Sequence, residues 1–420
     1  MDSRLARRAA RIPVALALAF ASAAAAPARH PAPLPGAARP GPGAPVAVDA
    51  RVSVAGDETR LVVDLSAGVA VEASLTEEPD RLVLDLPEVN FQVDPAAGRL
   101  GAGGVGLVRG FRFGLFAPGR SRVVVDLDGP AALRRAEVAS IAGGSASRLT
   151  VALAPTDRAA FHAAVRRPAP EPAAAAPPPT SDPRPVVVID PGHGGVDPGA
   201  GGLGGAVEKE VVLQFALALS DRLSAGGRYR VVMTRHDDRF VSLGDRVRVA
   251  RDAGAALLIS VHADTLKDAA VAGATVYTAA DRASDPEAAR VAAAENQSDA
   301  AAGIDDAPRA AADVSDILDD LTRRETRADS HRFQRTLTGY WAKIARLNHN
   351  PERSAGFKVL QAPDVPSVLL ELGYLSSGQD ARSLASPDWR AKAAAGVAAS
   401  VDAFFAAPVA AAPPAPSAMR

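Results

Sequence analysis

Four short stretches of this 420-residue chain place a potential metal ligand or base where an apolar run gives way to Gly, Pro or Asp. They are P-G-H-G-G at Pro191 to Gly195, A-V-E-K-E around Glu208, S-V-H-A-D at Ser260 to Asp264 and V-L-L-E-L-G at Val368 to Gly373. Such junctions are where a parallel sheet presents chemistry, at the ends of its strands. Two histidines and one carboxylate are a recurring ligand set for catalytic zinc, with a fourth position left for water. His193, Glu208 and His262 supply that set, with Glu210 as the competing carboxylate in the same first helical turn. The chain has no cysteine, so any metal must be held by imidazole and carboxylate. Glu371 follows Ser-Val-Leu-Leu at a strand position no solvated acid should occupy. It either points into the site, as general base and then general acid, or is buried in an ion pair with an arginine. Asp190 and Asp264 fit two roles equally, orienting a ligating histidine or ending a strand.

The elements that must position these residues form an α/β region from Pro185 onward. Apolar runs Val-Val-Val-Ile-Asp and Ala-Leu-Leu-Ile-Ser-Val-His read as buried strands. Between them, Glu208 to Leu223 spaces Val212, Phe215, Ala216, Leu219 and Leu223 on one helical face, and a second helix lies near Leu243 to Ala253. Upstream the texture differs. R-L-V-V-D-L at Arg60 to Leu65, R-L-V-L-D-L at Arg81 to Leu86, R-V-V-V-D-L at Arg122 to Leu127 and R-L-T-V-A-L at Arg148 to Leu153 alternate polar and β-branched residues, with G-F-R-F-G-L-F at Gly110 to Phe116. These read as strands of an all-β sandwich, their Arg and Asp on a solvated face. Pro/Ala-rich stretches before and after this region read as semi-rigid linkers. At the start, basic Arg4 to Arg11 precedes a short apolar run ending in small residues, a signal-peptide pattern with cleavage near Ala24 to Ala26. The run falls short of the roughly 20 residues that span a bilayer, and the adjacent Arg7 and Arg8 leave both the Sec and the twin-Arg routes open. The net charge of −1 gives no electrostatic footprint for nucleic acid.

The ordered series V-V-I-D-P-G-H-G-G, E-K-E-V-V-L, V-V-M-T-R, S-V-H-A-D, G-F-K-V-L and P-S-V-L-L-E-L-G-Y-L-S resembles the zinc-dependent N-acetylmuramoyl-L-alanine amidases of cell division. The strand repeats and L-V-R-G-F-R-F-G-L-F-A-P-G-R-S-R-V-V-V-D-L resemble the AMIN domain of exported cell-wall amidases. The resemblance implies a mixed sheet flanked by helices, one Zn2+ per catalytic domain held by His193, Glu208 and His262, and Glu371 as the catalytic acid/base. It implies cleavage of the amide between N-acetylmuramic acid and L-alanine in peptidoglycan, in the periplasm, during wall remodelling and daughter-cell separation. The expected organisation is a signal peptide over residues 1–26, a linker over 27–47, an AMIN-like β domain over 48–156 and a second linker over 157–184. A catalytic domain follows over 185–406, with a helical insertion at 280–352, and then a disordered tail over 407–420.

Within the insertion, Ser284 and Glu287 suggest a capping box that starts a helix through Asn296, with Pro286 in its first turn. Val314, Ile317, Leu318 and Leu321 mark a second helix, and Phe333, Leu337, Tyr340, Trp341, Ile344 and Leu347 a third. Family members with a similar insertion cover the zinc with a helix until an activator of the LytM type displaces it. By that resemblance, E-N-Q-S-D at Glu295 to Asp299 is the inhibitory stretch, with Glu295 in the zinc's open position; the alternative is that the insertion is ordinary helical decoration. Two competing functions are a non-catalytic peptidoglycan-binding division protein and a zinc carboxypeptidase acting on stem peptides.

Overall fold

The computed structural model describes residues 44–117, 119–141, 146–165, 182–304 and 317–406. The expected signal peptide and tail, most of both linkers and Val314 lie outside the described residues. The N-terminal part is built from β1 (Val46–Ala55), β2 (Glu58–Leu65), β3 (Glu72–Thr76), β4 (Arg81–Pro87), β5 (Asn90–Phe91), β6 (Val108–Ala117), β7 (Arg120–Leu127), β8 (Ala131–Ser140) and β9 (Ser147–Pro155). They form two sheets, β5-β1-β2-β9-β8 and β3-β4-β7-β6. Period-two alternation sends Leu61, Val63, Leu149 and Val151 from one sheet, and Leu82, Leu84, Val123 and Val125 from the other, into a shared core. The second linker does not begin at residue 157 as expected. Helix α1 (Arg158–Ala164) forms there because Asp157 accepts the Ala160 amide at 2.8 Å and Phe161 is buried in the sandwich core.

The C-terminal part runs β10 (Val186–Pro191), α2 (Glu208–Ala225), β11 (Arg230–Met233), α3 (Leu243–Asp252), β12 (Ala255–His262), β13 (Ala274–Ala279), α4 (Pro286–Glu295), α5 (Ser298–Ala301), α6 (Ile317–Trp341), β14 (Leu347–Ala355), β15 (Ser367–Glu371), α7 (Gly378–Ala385) and α8 (Pro387–Ala406). Its sheet has the order β11-β10-β12-β15-β13-β14. It is mixed: β13 runs antiparallel to β15, and the other pairings are parallel. Both faces are covered, which is why the central strands read as unbroken apolar runs. Val187, Ile189, Ile259 and Leu370 pack against Val212, Phe215 and Leu219 of α2, Phe333 and Leu337 of α6, and Val401 of α8. On the opposite face Val188 and Leu258 meet Ala250 of α3, while Tyr277 and Leu369 meet Val291 of α4.

The insertion departs from its sequence reading at three points. Asp285, not Ser284, caps α4, accepting the amides of Glu287 and Ala288 at 3.0 and 2.9 Å. The expected second and third helices merge, among the described residues, into the single α6. That helix stops at Trp341, whose indole donates to the Arg346 carbonyl, so Ile344 and Leu347 lie beyond it. Leu347–Ala355 is instead a strand pairing with β13, so the stretch over 280–352 is not helical throughout. Extending the sheet covers an edge of β13 that would otherwise be unpaired.

Leu337 is fully buried between α6 and the sheet. Leu337→Ala should therefore lower the stability of the C-terminal α/β part by about 2–5 kcal/mol, measured as a shift in the urea midpoint of its unfolding transition.

Candidate metal centre

The parallel strands β10, β12 and β15 end at one rim, and their registers set the site. His262 closes β12 directly opposite Glu371, which closes β15. His193 stands two residues past the end of β10, and Glu208 opens α2. Glu295 closes α4. His193, Glu208, His262 and Glu295 are all buried and each offers one ligand atom, these atoms lying within 4.8 Å of one another. His193 Nε2 lies 3.2 Å from Glu208 Oε2 and 3.4 Å from Glu295 Oε2. His262 Nδ1 lies 3.3 Å from Glu208 Oε1 and 2.9 Å from Glu295 Oε2.

The backbone is shaped around these atoms. His193 itself has φ of 58°, a left-handed conformation that a β-carbon makes costly. Two buried arginines hold the strained loop. Arg246 donates to the carbonyls of Pro191 and His193, both at 2.7 Å, and Arg235 donates to those of Pro191 and Gly192 at 3.0 and 2.6 Å. Arg246 is neutralised by Asp190 at 2.7 Å, which also accepts from Thr234 and Ser260. Gly192 is needed because a β-carbon there would sit 2.3 Å from the His262 ring. The Glu208 carboxylate is aimed by two amides, Ala263 N to Oε1 and Ala200 N to Oε2, each at 2.8 Å.

The charges do not balance within the protein. Burial opposes a proton on either imidazole, yet Glu208, Asp197 and Glu295 outweigh it and raise the pKa of His193 well above its usual value. Likewise burial opposes and Glu295 favours the proton on His262, pushing it up to about 10. Glu208 is held well below the carboxylate range by the two histidines in spite of its burial. His193 Nε2, His262 Nδ1 and Glu295 Oε2 are nonetheless buried with no hydrogen-bond partner. Converging, desolvated nitrogen and carboxylate oxygen atoms that lack hydrogen-bond geometry, beside excess negative charge, are what a divalent cation satisfies, and the donor set fits a metal such as zinc.

Glu371 is fully buried, and among the described residues no arginine or lysine pairs with it. Burial, reinforced by Glu208, Asp264 and Glu295, raises its pKa well above the usual value, against the pull of His262. Its Oε2 accepts the Asp264 amide at 3.0 Å, while Oε1 has no partner. Glu210 is exposed and outside the cluster.

A family model described as N-acetylmuramoyl-L-alanine amidase matches residues 187–403, and the AMIN domain model matches residues 49–153. Two relatives extend the likeness across both domains. The N-acetylmuramoyl-L-alanine amidase AmiC of Escherichia coli O6:H1 is 30% identical over 86% of this chain and 89% of its own length. The AmiC of Neisseria meningitidis serogroup B is 31% identical over 86% of this chain and 90% of its own. The chain belongs to the N-acetylmuramoyl-L-alanine amidase family. A further member, AmiA of Escherichia coli K12, is 35% identical over 52% of this chain and 76% of that protein.

The amidase domain also uses residues that motif reading passed over. Asp197 Oδ2 lies 2.9 Å from His193 Nδ1 and so fixes the ring, while its other oxygen accepts the Gly199 amide. Its place four residues after His193 in H-G-G-V-D was the available signal. Arg246 gave no such signal, and Arg235, although it closes the V-V-M-T-R fragment, gave no sign of its role, since nothing in the sequence says that either is buried. Asp190 does not touch a histidine ring; it anchors Arg246 and acts through the backbone.

Asp197→Ala should weaken binding of a divalent metal about 10–100-fold, read by competition with a chromophoric chelator. The Asp190 to Arg246 pair is dry, so Asp190→Asn should cost about 3–5 kcal/mol at neutral pH. Burial works to raise the Asp190 pKa, but Arg246 and the two hydroxyls leave it below the ordinary value. A carboxylate with a lowered folded pKa contributes stability above its unfolded pKa of about 3.9 and loses it as pH falls through the folded pKa. The deficit of Asp190→Asn, followed by denaturant unfolding, should therefore narrow below about pH 4.

Proposed function

We propose that the strand-end cluster is a zinc site that hydrolyses the amide between the lactyl group of N-acetylmuramic acid and L-alanine in peptidoglycan. His193, Glu208 and His262 would hold the ion, and Glu371 would move the proton. The single observation that carries this reading is the convergence of unpaired imidazole and carboxylate atoms beside a buried, partly unpartnered glutamate. Bound there, zinc would polarise the scissile carbonyl and lower the pKa of a water molecule.

The protein's own part is to position and to transfer protons. Glu371 Oε1 is free to accept a proton from the attacking water, while the Asp264 amide fixes Oε2. The same carboxyl then returns that proton to the departing nitrogen of L-alanine as the carbon–nitrogen bond breaks. Its elevated pKa suits the second act; the first needs the anion. Glu295 is among the charges that hold the proton on Glu371, so withdrawing Glu295 from the site favours the base form.

We further propose that Glu295 and the segment after it inhibit the resting enzyme. Glu295 Oε2 lies within 3.4 Å of both histidines, where a carboxylate competes with water and substrate. Asn296 fastens the segment by donating to the Gly356 carbonyl and accepting the Lys358 amide, both at 2.8 Å. By the family resemblance, a LytM-type activator would be the partner that displaces the segment. Export to the periplasm, by Sec or twin-Arg, and binding of peptidoglycan by the AMIN domain complete the reading; no helix among the described residues is long and apolar enough to cross a membrane.

The test is mass analysis of products from sacculi incubated with the zinc-loaded protein. Intact stem peptides beginning at L-alanine are expected, with release reduced about 10²–10⁴-fold in Glu371→Gln. Glu295→Ala should raise basal release about tenfold or more, as expected for losing a charge-assisted contact of ~1.5–3 kcal/mol. Release of single C-terminal amino acids would instead indicate a carboxypeptidase, and binding to sacculi with no release from any variant would indicate a binding protein.

A further inference from the structure

The outer face of the β3-β4-β7-β6 sheet should be wet, yet its centre is buried. Register puts Val83, Val124 and Arg112 in one cross-strand row, Asp85, Arg122 and Gly114 in the next, and Arg81, Asp126 and Gly110 in a third. All of these face away from the sandwich core, which takes the alternate residues. Val83 and Val124 nevertheless expose only 2% and 0% of their surface, and the Arg122 side chain 7%. On the other sheet, the corresponding outward arginines Arg60 and Arg148 expose 45% and 43%.

What covers the face is the end of the segment that begins at Glu295. Arg112 Nε donates to the Ala301 carbonyl at 2.6 Å, and Arg122 Nη1 to the Ala302 carbonyl at 2.9 Å. These are carbonyls at the C-terminal end of α5, which lack helical partners and favour cations. Both guanidiniums are pre-set by carboxylates of the same face, Arg112 by Asp126 at 2.6 Å and Arg122 by Asp85 through two bonds at 2.7 and 2.9 Å. Gly303, with φ of 71°, lies so close that a β-carbon would meet Val83 Cγ2 at 2.6 Å. Ala302 and Ile304 join Val124, Phe116, Val196 and Phe240 in one apolar cluster. The same sheet is fixed to the amidase frame: the Phe240 amide donates to the Leu115 carbonyl at 3.2 Å, and the Phe116 ring stacks on Phe240 at 5.9 Å while Arg122 lies 3.5 Å above it.

We propose that this sheet of the AMIN domain is the latch of the zinc-site plug, an interaction surface whose occupant is residues 301–304 of the same chain. Ser298 links the two ends, donating to Asp197, the carboxylate that orients His193, at 2.5 Å. Glu295 blocks the site, and the AMIN sheet keeps the blocking segment down; whatever takes the sheet face from the segment opens the site. The inference rests on the inhibitory reading of Glu295 given above, and its test separates the two.

The test uses the full mature chain loaded with zinc, as wild type, Glu295→Ala, Arg112→Leu, Arg122→Leu and Arg148→Leu. Basal peptide release from sacculi is read beside amide hydrogen exchange over residues 296–304. Arg112→Leu and Arg122→Leu should each raise basal release and speed exchange in that segment about tenfold or more, and Arg148→Leu should do neither. In the Glu295→Ala background the arginine changes should add little. Arg112→Leu leaves the Arg122 to Asp85 pair intact, so it decides the matter if Arg122→Leu fails to fold. Wild-type exchange and activity in both arginine variants, with Glu295→Ala activated, would overturn the latch and leave the plug standing. An inactive Glu295→Ala would overturn the plug, and the exchange of residues 296–304 would still decide whether the sheet restrains them.

Discussion

Two imidazoles and several carboxylates are held out of water where three parallel strands end, and the rest of the catalytic domain follows from making that tolerable. Glu208 and Asp197 need amide and ring partners, so the loop from Gly192 to Ala200 doubles back over the strand ends. That path forces His193 into a left-handed conformation, which persists because Arg235 and Arg246 tie down three successive carbonyls. Those arginines are themselves dry, and Asp190 lies inside β10 to balance Arg246. Each buried charge thus requires the next. The chain ends only where a divalent cation would supply what the protein does not.

Much of this was legible in the sequence, because its signals are local. A histidine after an apolar run and before glycines reads as a strand-end ligand wherever the fold places it. The α2 face is likewise legible, since all five of its expected apolar positions are buried. What could not be read depends on contacts between distant segments. Ser284 and Asp285 are both good caps, and the choice falls to Asp285, which Arg353 of β14 meets at 3.1 Å. Leu347 continues the apolar spacing of α6, but the unpaired edge of β13 takes it into a strand. Asp157 and Phe161 sit in a Pro/Ala-rich context that reads as linker until the sandwich offers Phe161 a core.

The AMIN strands show the same limit more sharply. R-L-V-V-D-L at Arg60 to Leu65 and R-V-V-V-D-L at Arg122 to Leu127 are nearly the same phrase, and each sends its arginine and aspartate outward. On one sheet this makes the solvated face that the pattern suggests. On the other the Arg122 to Asp85 pair is covered, and its remaining guanidinium nitrogen turns to a carbonyl of the amidase domain. A surface ion pair contributes little to stability. Covered, the same pair becomes a preset donor, and its removal leaves a buried carbonyl unsatisfied.

A plug made of the protein's own chain need not bind strongly to inhibit. A tethered carboxylate competes at an effective concentration set by the segment that carries it, which reaches the millimolar range for short flexible links. Fixing the segment at both sides of Glu295, through α4 on the domain core and Ala301 and Ala302 on the AMIN sheet, would raise that concentration without any change at the proposed metal site. Loosening either attachment lowers it. On the proposed inhibition, control would act far from His193, Glu208, His262 and Glu371, on ordinary hydrogen bonds and apolar contacts.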